Sequence, residues 1–311
     1  MDTGVMPVAA PAAPDHSFDF EAWNRVQLDR VEQALQHWVP TDAPAGLGEA
    51  MAYAVLGGGK RLRPLLVLAA AEAVGGCPEA ALRAACSVEL IHAYSLVHDD
   101  MPCMDNDVLR RGKPTVHVRF GEAGALLSGD ALQALAFELL TPEAVRVDPL
   151  IQARLCGLLA RAAGAAGMAG GQAIDLASVG HRLDEASLRH MHRLKTGALL
   201  KASVMMGAAC VSDLPPAAEA ALARFGEAIG LAFQVVDDIL DVTADSATLG
   251  KTAGKDAAND KPTYVSLMGL DRSRALARQL RTEAESALVE SRLADTRALH
   301  ALATAVVARE N

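Results

Sequence analysis

From Leu96 to Arg111 the chain reads Leu-Val-His-Asp-Asp-Met-Pro-Cys-Met-Asp-Asn-Asp-Val-Leu-Arg-Arg. The residues before it, Glu89 to His98, are mostly apolar and contain no Pro or Gly, so a helix runs into an acidic end. Pro102 disfavours helical geometry at Met101 and has no N–H to donate. The helix therefore stops near Asp100 and the chain turns. Without that turn Asp105 lies on a different face from Asp99; with it, Asp105 folds back towards Asp99 and Asp100. Carboxylates at a helix C-terminus oppose the macrodipole, so a cation belongs there. Hard oxygen ligands beside Arg110 and Arg111 suggest Mg2+ carrying a phosphorylated substrate.

A second acidic run, Phe233 to Asp241, contains Asp237, Asp238 and Asp241 within an apolar helix. Asp237 and Asp241 are four apart and share a face. Like charges buried at that spacing are costly unless a cation neutralises them. One such cluster fits a solvated face better than a metal site. Two clusters of the same make-up, both embedded in apolar helix, favour a metal-bound anion. Upstream, Gly57-Gly58-Gly59-Lys60-Arg61-Leu62-Arg63-Pro64 combines free backbone amides with basic residues at a helix start. Basic charge is unfavourable at that end of a helix, which makes the stretch an anion cradle rather than a plain turn. It is not a nucleotide P-loop, since no Ser or Thr follows Lys60.

These three stretches, in this order, resemble the trans-isoprenyl diphosphate synthases, with the bacterial farnesyl type the nearest match. The resemblance spans roughly residues 20 to 305. It implies an all-α, single-domain antiparallel bundle around a central cavity, the type I isoprenoid synthase fold. It also implies condensation of isopentenyl diphosphate with dimethylallyl or geranyl diphosphate to give farnesyl diphosphate. A geranylgeranyl or other short-chain product is the alternative. A terpene cyclase or a non-catalytic synthase subunit fits less well, because both acidic motifs and the basic cradle are intact.

By the same resemblance Gly59, Lys60, Arg63, His92 and Arg111 hold the isopentenyl diphosphate. Arg110, Lys195 and Lys251 face the allylic diphosphate, with Lys261 a weaker candidate. Thr196 and Gln234 turn oxygen dipoles towards the carbocation, beside Lys195. Asp99, Asp100, Asp105, Asp237, Asp238 and Asp241 form the metal set, for three Mg2+ ions in the family with Mn2+ as a substitute. Gln172 and Asp175 match a motif of less certain role. Asn106 departs from the pattern, standing where many bacterial members have another Asp. His98 is a weak candidate for a general base. Tyr94 lies about 7.5 Å below Asp99 along the helix, where it would floor a pocket for a growing tail. Ser95 beside it is too small to block one. That pairing, with the Pro102-Cys103 insertion, is the farnesyl pattern.

Composition narrows the rest. The 311 residues are rich in Ala and Leu and carry only 4% aromatics, a helix former's composition. The net charge of -9 argues against nucleic acid as the main partner. Cys77, Cys86, Cys103, Cys156 and Cys210 show no ligand spacing, which fits reduced thiols in a cytoplasm. No charge-free apolar run is long enough for stable membrane insertion, and the N-terminus reads as no signal peptide. Residues 1–16 read as a loose tail before a helical domain at 17–311, with a homodimer expected from the family. Helices are expected at Phe18–Trp38, Leu47–Leu56, Leu65–Val74, Pro78–Asp100, Gly124–Leu140, Leu150–Gly171 and Glu185–Cys210, the last broken at Lys195–Gly197. Three more follow: one from Pro215 through Asp241, one at Arg272–Glu290 and one at Asp295–Arg309. Residues 243–260 read as a Gly/Lys closing loop.

Overall fold

The computed structural model describes residues 18–181, 183–243 and 263–308. The expected tail and most of the Gly/Lys loop, with Lys251 and Lys261, lie outside them. The chain enters through α1 (Phe20–Trp38), whose start is fixed by Asp19, its carboxylate accepting from Ala22 N at 2.9 Å. A 3-10 turn (Pro44–Gly46) leads to α2 (Leu47–Val55). The glycine run follows, and α3 (Leu62–Ala73) begins three residues before its expected start.

Next comes α4 (Pro78–Asp99), which has Pro at its first position and buried residues on every side of its middle. A helix apolar all round belongs in a core, and α4 is long and apolar enough to cross a bilayer by composition alone, as is α5. It is nonetheless 72% buried within the protein. After α4 a two-strand hairpin, β1 (Leu109–Arg110) and β2 (Lys113–Pro114), turns the chain. Arg111 and Gly112 supply the positive φ angles that the turn requires. Then α5 (Val116–Leu140) starts well before the expected Gly124, because the helix carries through a kink at Gly121.

The helix expected over Leu150–Gly171 is two helices, α6 (Pro149–Ala163) and α7 (Met168–Ala177). The small residues between them let backbones meet: a Cβ on Gly167 would stand 2.2 Å from the Ala162 carbonyl oxygen. Helix α8 (Glu185–His192), capped by Asp184, passes without a break through a π turn (Arg193–Gly197) into α9 (Ala198–Ala208). The break expected at Lys195–Gly197 is therefore a bulge, a form common at functional sites.

Helix α10 (Pro216–Thr243) carries the second acidic run. Among the described residues three more helices follow: α11 (Tyr264–Met268), α12 (Leu270–Ser291) and α13 (Arg297–Val307). The apolar residues gather in two cores. One joins α1, α2, α4, α5, α6 and α9; the other joins α3, α8 to α10, α12 and α13. The acidic end of α4 and the π turn open on one cavity between the helices.

Candidate active site

The turn after α4 folds as its sequence demands. Asp105 N donates to the Asp99 carbonyl at 2.9 Å, and Asp107 N to that of Asp100 at 3.1 Å. Asn106 takes a left-handed φ of 50°, which an Asn tolerates. Asp105 is thereby returned to Asp99, and the two carboxylates repel. Burial, reinforced by Asp105 and Asp100, pushes the Asp99 carboxyl up to about 6 against the pull of Lys195 and Arg110. Asp100 is used differently. It is buried, and Arg110 grips both of its oxygens at 2.6 to 3.1 Å.

On α10, Asp238 is also committed within the protein. It accepts from Gln234 Nε2 at 2.8 Å and from Tyr264 N at 2.8 Å, so it caps α11. Asp241 is buried, and its Oδ1 has no hydrogen-bond partner among the described residues. Among those residues no three acidic, His or Cys side chains close on one point. The acidic set nevertheless fits a hard cation: Asp99 and Asp105 repel at close range, and Asp241 buries an unused oxygen.

The cavity beneath Asp99 is open to solvent and spans about 950 Å³ with its open part counted. Arg63, His92, Tyr94, Ser95, Lys195 and Thr196 all line it, as six positions expected in the site. Lys195 Nζ donates to Asp175 at 2.6 Å. Thr196 Oγ1 donates to Gln234 Oε1 at 3.0 Å, which joins the π turn to α10. That approach depends on Gly230, whose Cβ would stand 3.0 Å from Gly197 Cα. Ser95 spends its hydroxyl on the His92 carbonyl at 2.9 Å. The ring of Tyr94 meets His98 edge-on at 5.6 Å. His98 Nε2 lies 3.1 Å from the Leu126 carbonyl. A carbonyl only accepts, so that nitrogen carries a proton and cannot take another.

The basic side of the site centres on His92. Burial and four arginines, Arg63, Arg111, Arg110 and Arg61, hold its imidazole well below the usual range, so it is a neutral donor. Burial also lowers the Arg63 guanidinium to about 10, opposed by Glu89, and its Nε has no hydrogen-bond partner. Arg63 remains cationic at neutral pH. A second hollow of about 620 Å³, lined by His92, Asp100, Arg110, Arg111 and Lys113, lies against the hairpin. Arg111 Nη1 donates to the Gly58 carbonyl. A side chain on Gly59 would strike that guanidinium at 2.6 Å. Lys60 is exposed and lines neither hollow.

Three residues take parts that the sequence did not assign, although Gln172 and Asp175 stood in a recognised motif. Arg61 takes no outward role; it is buried and bridges Glu32, Glu89 and the Val55 carbonyl, each at 2.7 Å, anchoring the glycine loop. Asp175 holds Lys195, and Gln172 stands in the cavity wall. A buried Glu89 opposite a basic run was the available signal for Arg61. No spacing rule pairs Asp175 with Lys195.

The sequence matches the polyprenyl synthetase family over residues 44–296. It is 47% identical over 300 residues to the heterodimeric geranylgeranyl pyrophosphate synthase large subunit 1 of Arabidopsis thaliana, covering 95% of this chain and 81% of that one. A geranylgeranyl pyrophosphate synthase of Catharanthus roseus is 46% identical, covering 95% and 83%. Among solved structures, an FPP/GFPP synthase from Zymomonas mobilis superposes with a TM-score of 0.81 at 41% identity, covering 93% of this chain and 98% of that one.

Proposed function

The chain belongs to the polyprenyl synthetase family, and we propose that it is a short-chain prenyltransferase. It joins isopentenyl diphosphate head-to-tail to allylic diphosphates and ends at the twenty-carbon geranylgeranyl diphosphate. The observation that carries the reaction is one cavity lined both by Asp99, Lys195 and Thr196 and by Tyr94 and Met168. Such a space holds a diphosphate at one end and a hydrocarbon tail at the other. Product length rests on the relatives, whose names favour geranylgeranyl over the farnesyl product expected from the sequence. A fifteen-carbon product is the second reading. Its support is Tyr94, an aromatic lining the cavity below Asp99.

Each residue's part follows from its surroundings. Asp99, Asp105, Asp237 and Asp241 offer carboxylate oxygens to Mg2+, while Asp100 and Asp238 hold the two motifs in shape. Bound there, Mg2+ supplies charge neutralisation for the diphosphate as it departs. Lys195, steadied by Asp175, adds fixed positive charge at the same end. Arg63, His92 and Arg111 bind the isopentenyl diphosphate, and the exposed Lys60 is left outside both hollows. Thr196 and Gln234 present oxygens to the allylic cation, and the apolar helices keep water from it. The final proton passes to the departed diphosphate. A second copy of the chain covers the exposed apolar face of α5.

Labelled isopentenyl diphosphate incubated with dimethylallyl, geranyl and farnesyl diphosphate in turn tests this reading. Chromatography of the dephosphorylated products should give geranylgeraniol, with no turnover in excess chelator. Turnover in chelator would remove the metal assignment. A run ending at farnesol would select the second reading.

A further inference from the structure

One polar group in the cavity wall has no work in the assignments above. Gln172 is 9% exposed, and neither its Oε1 nor its Nε2 has a hydrogen-bond partner among the described residues. It lines the same cavity as Asp99, Lys195 and Thr196. Buried primary amides are ordinarily satisfied within the protein, so one left open beside a cavity points to what enters that cavity. The other polar groups at this level are engaged. Lys195 donates to Asp175, Thr196 donates to Gln234, and Gln234 donates to Asp238.

The packing that puts Gln172 there is tight. A Cβ on Gly171 would lie 2.1 Å from Lys195 N and 2.5 Å from its Cα. Helix α7 therefore rests backbone to backbone on the π turn. The next residue, Gln172, is brought to the level of Lys195 and Thr196. Asp175, one turn further along α7, reaches the same place.

We propose that Gln172 is a catalytic residue whose side-chain carbonyl oxygen faces the reacting allylic carbon and stabilises positive charge on it. This rests on the prenyltransferase reading. In the step concerned the allylic C1–O bond breaks and its electron pair leaves with the diphosphate. The isopentenyl double bond then supplies the pair for the new C–C bond, and the isopentenyl C2 proton passes to the diphosphate. A buried amide dipole not spent on the protein is available to the cation, and it matters most where substrate displaces water from the wall.

The test compares Gln172→Met, an apolar chain of similar length, with Gln172→Glu, which keeps an acceptor oxygen and loses the NH2 group. Single-turnover condensation from bound geranyl diphosphate is followed by rapid quench. Affinity is measured with the thio analogue of geranyl diphosphate, which binds without ionising. For Gln172→Met the single-turnover rate should fall about 10- to 100-fold, as for loss of one fixed dipole. Its affinity for the analogue should stay within about twofold, which separates a role in the transition state from one in binding. Gln172→Glu should recover most of the rate. A parallel loss of analogue affinity in the Met variant, an undiminished rate, or a Glu variant as slow as the Met variant would each overturn the proposal. Wild-type protein without turnover would fell the prenyltransferase reading and this inference together. Wild-type turnover with an unimpaired Met variant would fell this inference alone.

Discussion

His192 is buried, with its ring 5.6 Å from that of Tyr264 and neither nitrogen hydrogen-bonded among the described residues. Burial lowers its imidazole to about 4, with Lys195 pushing the same way and Asp175 and Asp237 opposing. Between that value and the ordinary 6.5 the unfolded chain binds a proton that the folded chain refuses. Stability therefore falls as pH drops from about 6.5 to 4. Replacing His192 with Phe removes that slope and relieves two unsatisfied atoms, so at pH 5 it should stabilise the protein by about 1 kcal/mol. Melting curves between pH 4 and 7 check both. A variant whose profile stays parallel to wild type would assign the slope to other groups. Tyr94 belongs to the same scale. Tyr94→Ala opens the wall below Asp99, and its products should be longer than wild type's by one isoprene unit or more, read by chromatography. An unchanged product at an undiminished rate would place the length limit elsewhere.

At the scale of elements, the site depends on α7 lying flat against the π turn. Gly171 makes that contact possible, since any Cβ there meets Lys195 backbone atoms. Backbone does not yield as a flexible side chain does. Gly171→Ala should cost about 1–3 kcal/mol of stability by overpacking and should depress turnover by displacing Lys195. Gly157→Ala in α6 is the control. Its Cβ would meet only the mobile end of Arg161 at 3.3 Å, so the helix should gain about 0.5–1 kcal/mol. Chemical denaturation of the two variants decides the point, and equal losses would deny α7 its special fit.

For the molecule as a whole, α5 is the exposed part that needs explaining. It has the length and apolar character of a core helix, yet its most apolar stretch is only 39% buried. Leu127 is 56% exposed and Leu126 and Val118 stand out beside it. The second copy of the chain proposed above would cover that surface by pairing through α5. One relative is named as the large subunit of a heterodimer, so a different partner chain is the competing occupant. Leu127→Glu should convert a dimer to a monomer in light scattering while circular dichroism stays helical. A wild-type protein that is already monomeric would remove the homodimer.

The helical class, the positions of both acidic runs and the turn at Pro102 can all be read from the chain before it folds. All of these follow from local causes: helix propensity, apolar spacing and a missing N–H. The return of Asp105 to Asp99 was legible because the chain has to turn within a few residues. How the aspartates divide their work appears only once the helices are packed. Asp100 goes to Arg110, Asp238 caps α11, and Asp99 faces the cavity with Asp105 beside it. The packing also turned the expected break at Lys195 into a π turn, split the glycine-rich helix in two, and gave Arg61 to Glu32 and Glu89. The physical reason is common to all of these. Which of several chemically equal carboxylates or guanidinium groups is consumed inside the protein depends on partners far along the chain, and those are chosen by how closely helices pack, down to single Cβ atoms at Gly171 and Gly230.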